Sequence, residues 1–234
     1  MTALELWLIR HGESTANVAA AAAELTDSEV ITASVRDADV PLSELGREQA
    51  AGFGRWLARQ TATPDAVWAS SYLRAQETVS IALATAHMHH VVQIDERLRD
   101  RELGILDLLT GRGVRVRHPD EFARSEWLGK FYYRPPGGES WVDVIARVRD
   151  VLRDIDSSGA ARVLVASHDA VVMQFIYVCL GLSEQQLLDF ASANSVANAS
   201  VTILRRASGT EPWVMAAFSD ISHLSAGHNG SPAH

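Results

Sequence analysis

Short apolar segments alternate with longer, helix-forming ones along the 234-residue chain, and this alternation constrains the fold more than any other feature. The apolar segments are short and bounded, which favours strands over helices. The predicted strands are Leu4–Ile9, Ala66–Ala69, Val91–Ile94, Arg162–Ser167, Val201–Leu204 and Trp213–Phe218. Strands that alternate with helices predict an α/β fold, with a mostly parallel sheet covered by helices on both faces.

The segments between the strands carry local signals for helix starts and ends. Ser43 is a predicted N-cap, Ser140 and Asp143 form an S-x-x-D capping pattern, and Gly181 is placed to end a helix. Ser70 and Ser71 are capping candidates for a further helix. The helices predicted in this way are 13–25, 43–59, 70–86, 141–155 and 170–180.

The chain is predicted to form a single domain over residues 1–224, without internal repeats. Residues 104–138 lack a sustained hydrophobic period and end in a Pro-Pro-Gly-Gly sequence, so we expect a lid-like excursion over the ends of the strands. Residues 225–234 are rich in small and polar types and are expected to form a flexible tail.

Composition excludes several classes of protein. The formal net charge of −8 disfavours a general affinity for nucleic acid or for anionic membrane surfaces. Cys179 is the only cysteine, so an internal disulfide is impossible and a cytoplasmic protein is expected. The sequence holds neither a secretory signal pattern nor a stretch near the ~20 apolar residues that a membrane helix requires. Its oligomeric state is not indicated.

Two of the predicted strands are followed by polar residues that can bind a ligand or take part in catalysis. Arg10 and His11 follow the first strand, and His168 follows the strand that ends at Ser167. Because ligands of such sheets bind beyond the carboxyl ends of the strands, these side chains are expected to face one another across a crevice. Arginine beside a helix N-terminus favours phosphate, and Arg74 in the first turn of another helix would complete a pair of guanidinium groups.

Five ordered segments resemble the histidine phosphatase superfamily, the phosphoglycerate mutase-like proteins. They span nearly the whole chain and are R-H-G-E-S-x-x-N from Arg10, P-L-S-x-L-G-x-x-Q-A from Pro41, S-x-L-R-A-x-E-T from Ser71, G-G-E-S from Gly137 and S-H-D-A-V from Ser167. The R-H-G-E start is that of branch 1 of the superfamily. The resemblance implies a three-layer α/β sandwich and a reaction through phosphohistidine that uses neither a metal nor another cofactor.

The same resemblance implies roles for individual residues. His11 is the expected nucleophile, and Arg10, Asn17, Arg74 and His168 are expected to hold the phosphoryl group. An imidazole is a nucleophile when it is unprotonated, and neighbouring arginines favour that neutral form.

The sequence departs from the family at the proton donor. Members of the family carry a glutamate where this chain has Asp100, and Glu102 lies two residues further on. Asp169 follows the second histidine, where glycine is common in the family. We rank Asp100 first, Glu102 second and Asp169 third as the general acid.

Three functions are compatible with these residues. The favoured one is a phosphatase that acts on a small phosphorylated metabolite, because the segment 126–133 lacks the adjacent arginines that mutases tend to carry. A phosphoglycerate mutase is the alternative, and a phospho-ligand-binding regulator without turnover is a third. A metal site at His87, His89 and His90 is disfavoured, because no cysteine or carboxylate cluster accompanies them.

Overall fold

The computed structural model describes residues 2–224, so the tail expected at residues 225–234 lies outside the described part of the chain. In chain order the elements are β1 (Glu5–Arg10), α1 (Thr15–Leu25), α2 (Glu44–Ala58), β2 (Ala66–Ser70), α3 (Leu73–Thr85), β3 (Val92–Asp95), α4 (Gly111–Arg117), α5 (Pro119–Tyr132), α6 (Trp141–Ser157), β4 (Arg162–Ser167), α7 (Asp169–Leu180), α8 (Glu184–Ala193), β5 (Val201–Arg205) and β6 (Val214–Asp220).

The strands form one sheet in the order β3-β2-β4-β1-β5-β6. The pairs β1–β4, β2–β4 and β2–β3 are parallel, and β5 runs antiparallel to both of its neighbours. Arg10 is the register partner of Ser167, so β1 and β4 end at the same edge of the sheet. The prediction of a mostly parallel sheet is therefore confirmed.

Each face of the sheet is covered by a separate group of helices. Leu6 and Leu8 of β1 belong to a core cluster with residues of α6 and α7. Trp7 and Ile9 belong to a second cluster with residues of α2 and α3. This division follows from the strand period of two, which directs successive side chains to opposite faces. The expected three-layer arrangement is confirmed.

Local capping signals predicted some helix starts correctly and failed at another. Ser43 caps α2, and Ser140 with Asp143 forms the capping box of α6. The assignment of Ser70 or Ser71 as the cap of α3 is wrong, because Tyr72 occupies that position without a side-chain hydrogen bond. The hydroxyl of Ser70 instead lies 2.9 Å from His168 Nε2. The side chain that was expected to cap α3 therefore makes a tertiary contact with the second histidine.

Three helices do not appear among the predicted elements. The excursion at 104–138 contains α4 and α5. Helix α4 has only 7 residues and α5 is interrupted at Gly129, where φ is 73°, so neither shows a sustained helical period in the sequence. Helix α8 was missed although Ser183 and Gln186 form a capping box at its start. Among the helices of residues 2–224, none combines the length and the apolar character needed to cross a bilayer.

Candidate functional site

His11 and His168 lie side by side because their strands are adjacent and parallel. His11 follows β1 directly, and His168 is the N-cap of α7 immediately after β4. The two ring centroids are 5.1 Å apart with an interplanar angle of 61°, and both residues are buried. The crevice expected at the carboxyl ends of the strands therefore brings both histidines together.

The turn after His11 depends on a close backbone approach. A Cβ atom on Gly12 would lie 2.5 Å from the carbonyl oxygen of Gly46 in α2, so a larger residue does not fit there. The backbone N–H of Gly12 donates to the Thr78 hydroxyl of α3 at 3.0 Å. The turn is thus held between two helices, which gives His11 a defined position.

The contacts of His11 define which ring nitrogen carries the proton. Its Nδ1 lies 2.7 Å from the carbonyl oxygen of Gly12, which can only accept a hydrogen bond. Nε2 then holds the lone pair and accepts from Nε of Arg74 at 3.3 Å. Burial lowers the pKa of His11 well below its ordinary value, and the charges of His168, Arg74 and Arg10 lower it further. The ring is therefore a neutral base with Nε2 available for reaction.

Arg74 is buried at the start of α3 and forms the centre of the site's polar contacts. Its Nη1 donates to the carbonyl oxygen and to Oδ1 of Asp37, at 2.7 and 2.9 Å. Its Nη2 donates to Oδ2 of Asp100 at 3.2 Å. The structure places Arg74, which the sequence predicted to hold the phosphoryl group, beside His11. Sequence reasoning missed Asp37, which lies in the connection between α1 and α2.

Asp100 lies between Arg74 and the second histidine. Its Oδ2 is 3.3 Å from His168 Nδ1, and His168 Nε2 is 2.9 Å from the Ser70 hydroxyl. Burial lowers the pKa of His168, although the charge of Asp100 opposes this shift. Burial of Asp100 favours its protonated form, but the interactions with His168, Arg74 and His11 prevail and lower its pKa. Asp100 is thus ionised in the ligand-free site.

Arg10 and Asn17 are held near His11 by contacts on their far sides. Arg10 donates from Nη1 to the Val196 carbonyl at 2.5 Å. The Oδ1 atom of Asn17 accepts from the backbone N–H of Ser14, at 3.0 Å, in the capping box of α1. Because Oδ1 is occupied, the amide N–H groups of Asn17 are the donors left for a ligand.

The two other candidate acids also border the site. Oε1 of Glu102 accepts from the Tyr72 hydroxyl at 2.7 Å, and this contact adds to burial in raising the pKa of Tyr72. Oδ1 of Asp169 accepts from the backbone N–H of Ala170 at 2.6 Å. Sequence reasoning missed Tyr72, although it lies inside the S-x-L-R-A segment that contains Arg74.

A single cavity of about 780 Å³ collects most of these side chains. It is lined by Arg10, His11, Asn17, Arg74, Asp100, Glu102 and Asp169, and also by Leu103, Asp107, Leu108, Leu109 and Lys130 of the stretch from 103 to 130. His168 is fully buried beside Asp100 and His11, which both line the cavity. The cavity is large enough for a small metabolite around a phosphoryl group.

His11, Asp100 and His168 also form a potential ligand set for a metal ion. One ligand atom from each lies within 4.8 Å of the others. However, the guanidinium of Arg74 contacts both His11 Nε2 and Asp100 Oδ2, and its fixed positive charge opposes a cation at the same place. His87, His89 and His90 do not belong to this group.

Comparisons with known proteins agree with this geometry. A model of the histidine phosphatase superfamily (branch 1) matches residues 6–220. A metal-independent phosphoserine phosphatase of Arabidopsis thaliana is 27% identical over 223 residues, which cover 95% of this chain and 84% of that protein. A 2,3-bisphosphoglycerate-dependent phosphoglycerate mutase of Methylobacterium radiotolerans is 32% identical over 190 residues, covering 79% of this chain and 82% of that one.

Solved structures of phosphatases superpose on this fold. That of a mycobacterial glucosyl-3-phosphoglycerate phosphatase has a TM-score of 0.73 and 27% identity, and the match covers 92% of this chain and 98% of that one. The family model spans nearly the whole chain, and the R-H-G-E segment, the second histidine and Arg74 meet in one site. The chain therefore belongs to branch 1 of the histidine phosphatase superfamily.

Proposed function

We propose that this protein is a phosphatase that hydrolyses a small phosphomonoester through a covalent phosphohistidine on His11. The observation that carries the proposal is the neutral, buried ring of His11, whose Nε2 faces Arg74 in the cavity. The carboxylate of Asp100 supports it further. Its Oδ2 lies 3.2 Å from Arg74 Nη2 and 3.3 Å from His168 Nδ1, so an anionic oxygen already lies between these two groups.

The reaction takes place in two displacements. Nε2 of His11 attacks phosphorus, the bond to the ester oxygen breaks, and the leaving oxygen takes a proton from a general acid. Water then attacks phosphorus and gives a proton to the carboxylate that the general acid left, while the bond from phosphorus to Nε2 breaks. This step releases inorganic phosphate and restores both the neutral ring and the protonated acid. Arg10, Arg74, Asn17 and His168 bind the phosphoryl oxygens, because such transfers depend on positioning and on neutralising charge.

Asp100 is the proposed proton donor. Its pKa is low in the ligand-free site because His168, Arg74 and His11 favour the carboxylate. A phosphoryl dianion bound beside Arg74 neutralises the guanidinium charge and repels a second anion, which raises the pKa of Asp100 on substrate binding. Glu102, held by Tyr72, is the second candidate and Asp169 the third.

Phosphoryl transfer to a second substrate, as in a mutase, is the alternative function. The mycobacterial and Arabidopsis phosphatases match 92% and 95% of this chain, compared with 79% for the Methylobacterium mutase. Incubation with 3-phosphoglycerate, scored separately for phosphate release and for isomerisation, distinguishes the two. Isomerisation faster than phosphate release would contradict the phosphatase.

The nucleophile is tested by trapping it. Wild-type protein quenched with alkali during turnover of a 32P-labelled phosphomonoester is expected to carry an acid-labile label on His11. The His11→Ala variant is expected to lose both the label and the turnover. His89→Ala, at an exposed residue, is the matched control. Turnover retained in His11→Ala would contradict the covalent mechanism.

We further propose that the reaction requires no metal ion. The fixed positive charges of Arg10 and Arg74 can stabilise the negative charge of the transferred phosphoryl group, which is what a metal ion would do. Activity is expected to survive treatment with a chelator and removal of the chelator–metal complex by gel filtration. Loss of activity that a divalent cation restores would contradict this.

The proposed partner is a small phosphorylated metabolite, and the proposed compartment is the cytoplasm. The net charge of −8 supports the absence of a nucleic-acid or membrane partner. The single cysteine, Cys179, supports a reducing compartment. Fractionation of cells that express the tagged chain tests the location.

A further inference from the structure

The connection between α8 and β5 contacts the backbone of the nucleophile and has no role in the chemistry described so far. Its last four residues are 196–199. Arg10 donates from Nη1 to the Val196 carbonyl at 2.5 Å. The backbone N–H of Ala199 donates to the carbonyl oxygens of Arg10 and His11, at 3.1 Å each. The 196–199 segment therefore contacts both residues at the strand end that carries the nucleophile.

A turn in this segment places a side-chain amide at the same carbonyl group of His11. Ala199 has φ 55°, a left-handed conformation that residues with a side chain rarely adopt. The residue before it, Asn198, donates from Nδ2 to the His11 carbonyl oxygen at 3.1 Å. Because a carbonyl oxygen can only accept, the atom of Asn198 that faces it is the amide nitrogen. The His11 carbonyl thus accepts from the side chain of one residue and from the backbone of the next.

The same nitrogen atom of Asn198 also contacts Asn17, which lines the cavity. It donates to Oδ1 of Asn17 at 3.3 Å. Oδ1 accepts in addition from the backbone N–H of Ser14 at 3.0 Å. A rotated Asn17 amide would turn its own N–H groups toward both of these donors and lose both hydrogen bonds. The two contacts together therefore fix the orientation of the Asn17 amide and leave its N–H groups for a ligand.

The backbone of the 196–199 segment is held by β6 and by the residues that follow this strand. The N–H of Ala197 donates to the hydroxyl of Ser219 at 2.9 Å. Nε2 of the buried His223 lies 2.9 Å from the Ala199 carbonyl oxygen, to which it donates. None of these contacts involves the side chain of Asn198. Substitution of Asn198 is therefore expected to remove its amide and to leave the segment in place.

We propose that Asn198 is a positioning residue that orients the Asn17 amide toward the phosphoryl group bound at His11. Within residues 2–224, Asn198 is not part of the cavity lining, so it acts through Asn17 and not on the substrate. Its single Nδ2 atom joins the backbone of the nucleophile to the side chain that holds the phosphoryl group. This inference rests on the proposed phosphatase function for the location of the phosphoryl group.

Two substitutions of Asn198 separate hydrogen bonding from packing. Asn198→Ala is expected to lower kcat/KM for an aryl phosphate by about tenfold, because the hydrogen bond to Asn17 is lost. Asn198→Asp keeps the shape but turns an oxygen toward two atoms that only accept, and it is expected to lower kcat/KM by about 10²-fold. Gln185→Ala is the matched control, since this exposed amide donates to Asp189 at 2.7 Å outside the cavity. A loss in Asn198→Asp no larger than in Asn198→Ala overturns the proposal.

A double-mutant cycle with Asn17 tests whether Asn198 acts through that residue. In the Asn17→Ala background the amide to be oriented is absent, so Asn198→Ala is expected to lower kcat/KM by no more than about twofold. The same substitution costs about tenfold in the presence of Asn17. A residue with a merely structural role lowers activity whichever side chain is present at position 17. An equal loss in the two backgrounds therefore overturns the proposal.

A failure of this inference is distinguishable from a failure of the proposed function. Calorimetric titration of inorganic phosphate into wild type and Asn198→Ala measures the same contact without turnover. Weaker phosphate binding in the variant supports the role of Asn198 even if wild type hydrolyses no phosphomonoester, a result that contradicts the phosphatase alone. Equal phosphate binding and equal kcat/KM in the two proteins overturn the role of Asn198 and leave the phosphatase intact. A wild type that neither hydrolyses a phosphomonoester nor binds phosphate contradicts both. Thermal unfolding confirms that each variant is folded.

Discussion

The Nε atom of Arg74 lies 3.3 Å from Nε2 of His11, on the side of the ring opposite the bond to the Gly12 carbonyl. One guanidinium group therefore faces the lone pair of the proposed nucleophile and also contacts Asp100 through Nη2. This relationship makes Arg74 the residue that joins the proposed nucleophile to the proposed acid, and four predictions follow from it and from its surroundings.

Arg74→Lys is expected to lower kcat/KM by about 10²–10³-fold, because lysine cannot contact His11, Asp37 and Asp100 from one planar group. Steady-state kinetics on a phosphomonoester measures this. Arg47→Lys is the matched control, since Arg47 pairs with Glu77 at 3.3 Å and lies outside the cavity. A value of kcat/KM close to wild type for Arg74→Lys would remove Arg74 from the chemistry.

The proton donor is identified by comparing Asp100→Asn, Glu102→Gln and Asp169→Asn on an alkyl and an aryl phosphate. Asp100→Asn is expected to lose far more rate on the alkyl ester, because an alkoxide leaves only when protonated and a phenolate does not need the proton. The other two variants should affect both esters alike. Selective loss of the alkyl reaction in Glu102→Gln or Asp169→Asn would transfer the role to that residue.

Stability is expected to fall as the pH decreases below about 6.5, the pKa of an exposed histidine. Burial lowers the folded-state pKa values of His11, His168 and His223, so below that pH the unfolded chain binds protons that the folded chain does not. Each such proton reduces the free energy of unfolding by up to about 1.4 kcal/mol per pH unit, until the folded-state pKa is reached.

Urea unfolding at several pH values measures this slope. His11→Asn is expected to show a shallower decrease than wild type between about pH 6.5 and 5, because it removes one of the three buried histidines of residues 2–224. His89→Asn, at an exposed residue, is the matched control. Equal slopes in wild type and His11→Asn would contradict the buried, neutral state of His11.

Gly129→Ala is expected to reduce the free energy of unfolding by about 1–3 kcal/mol or to straighten α5. No atom lies within 4 Å of a Cβ at this position, so the cost arises from the backbone conformation and not from a clash. Gly111→Ala, at the start of α4, is the control because a Cβ there meets its nearest atom at 3.8 Å. Urea titration measures both. Equal stability in the two variants would contradict a strained Gly129.

The prediction of a histidine phosphatase family enzyme from five sequence segments is confirmed by the match over residues 6–220. The fold was predictable because its signals are local. Apolar strands of four to seven residues and the caps Ser43 and Ser140 depend on neighbours within one turn or one strand. The placement of His11 beside His168 was predictable as well, since parallel strands end at the same edge of a sheet.

The sequence by itself therefore determined the fold class, the order of its strands and the strand ends where Arg10, His11 and His168 meet. The tertiary structure alone decided that Ser70 contacts His168 and does not cap α3, and that Asp37 binds Arg74 from a connection without a sequence pattern. It also decided that Lys130 and Arg101 share one cavity. The physical reason is that periodicity and capping act over a few residues, whereas these groups are 29 to 98 positions apart and are brought together by packing of the whole sheet and its helices.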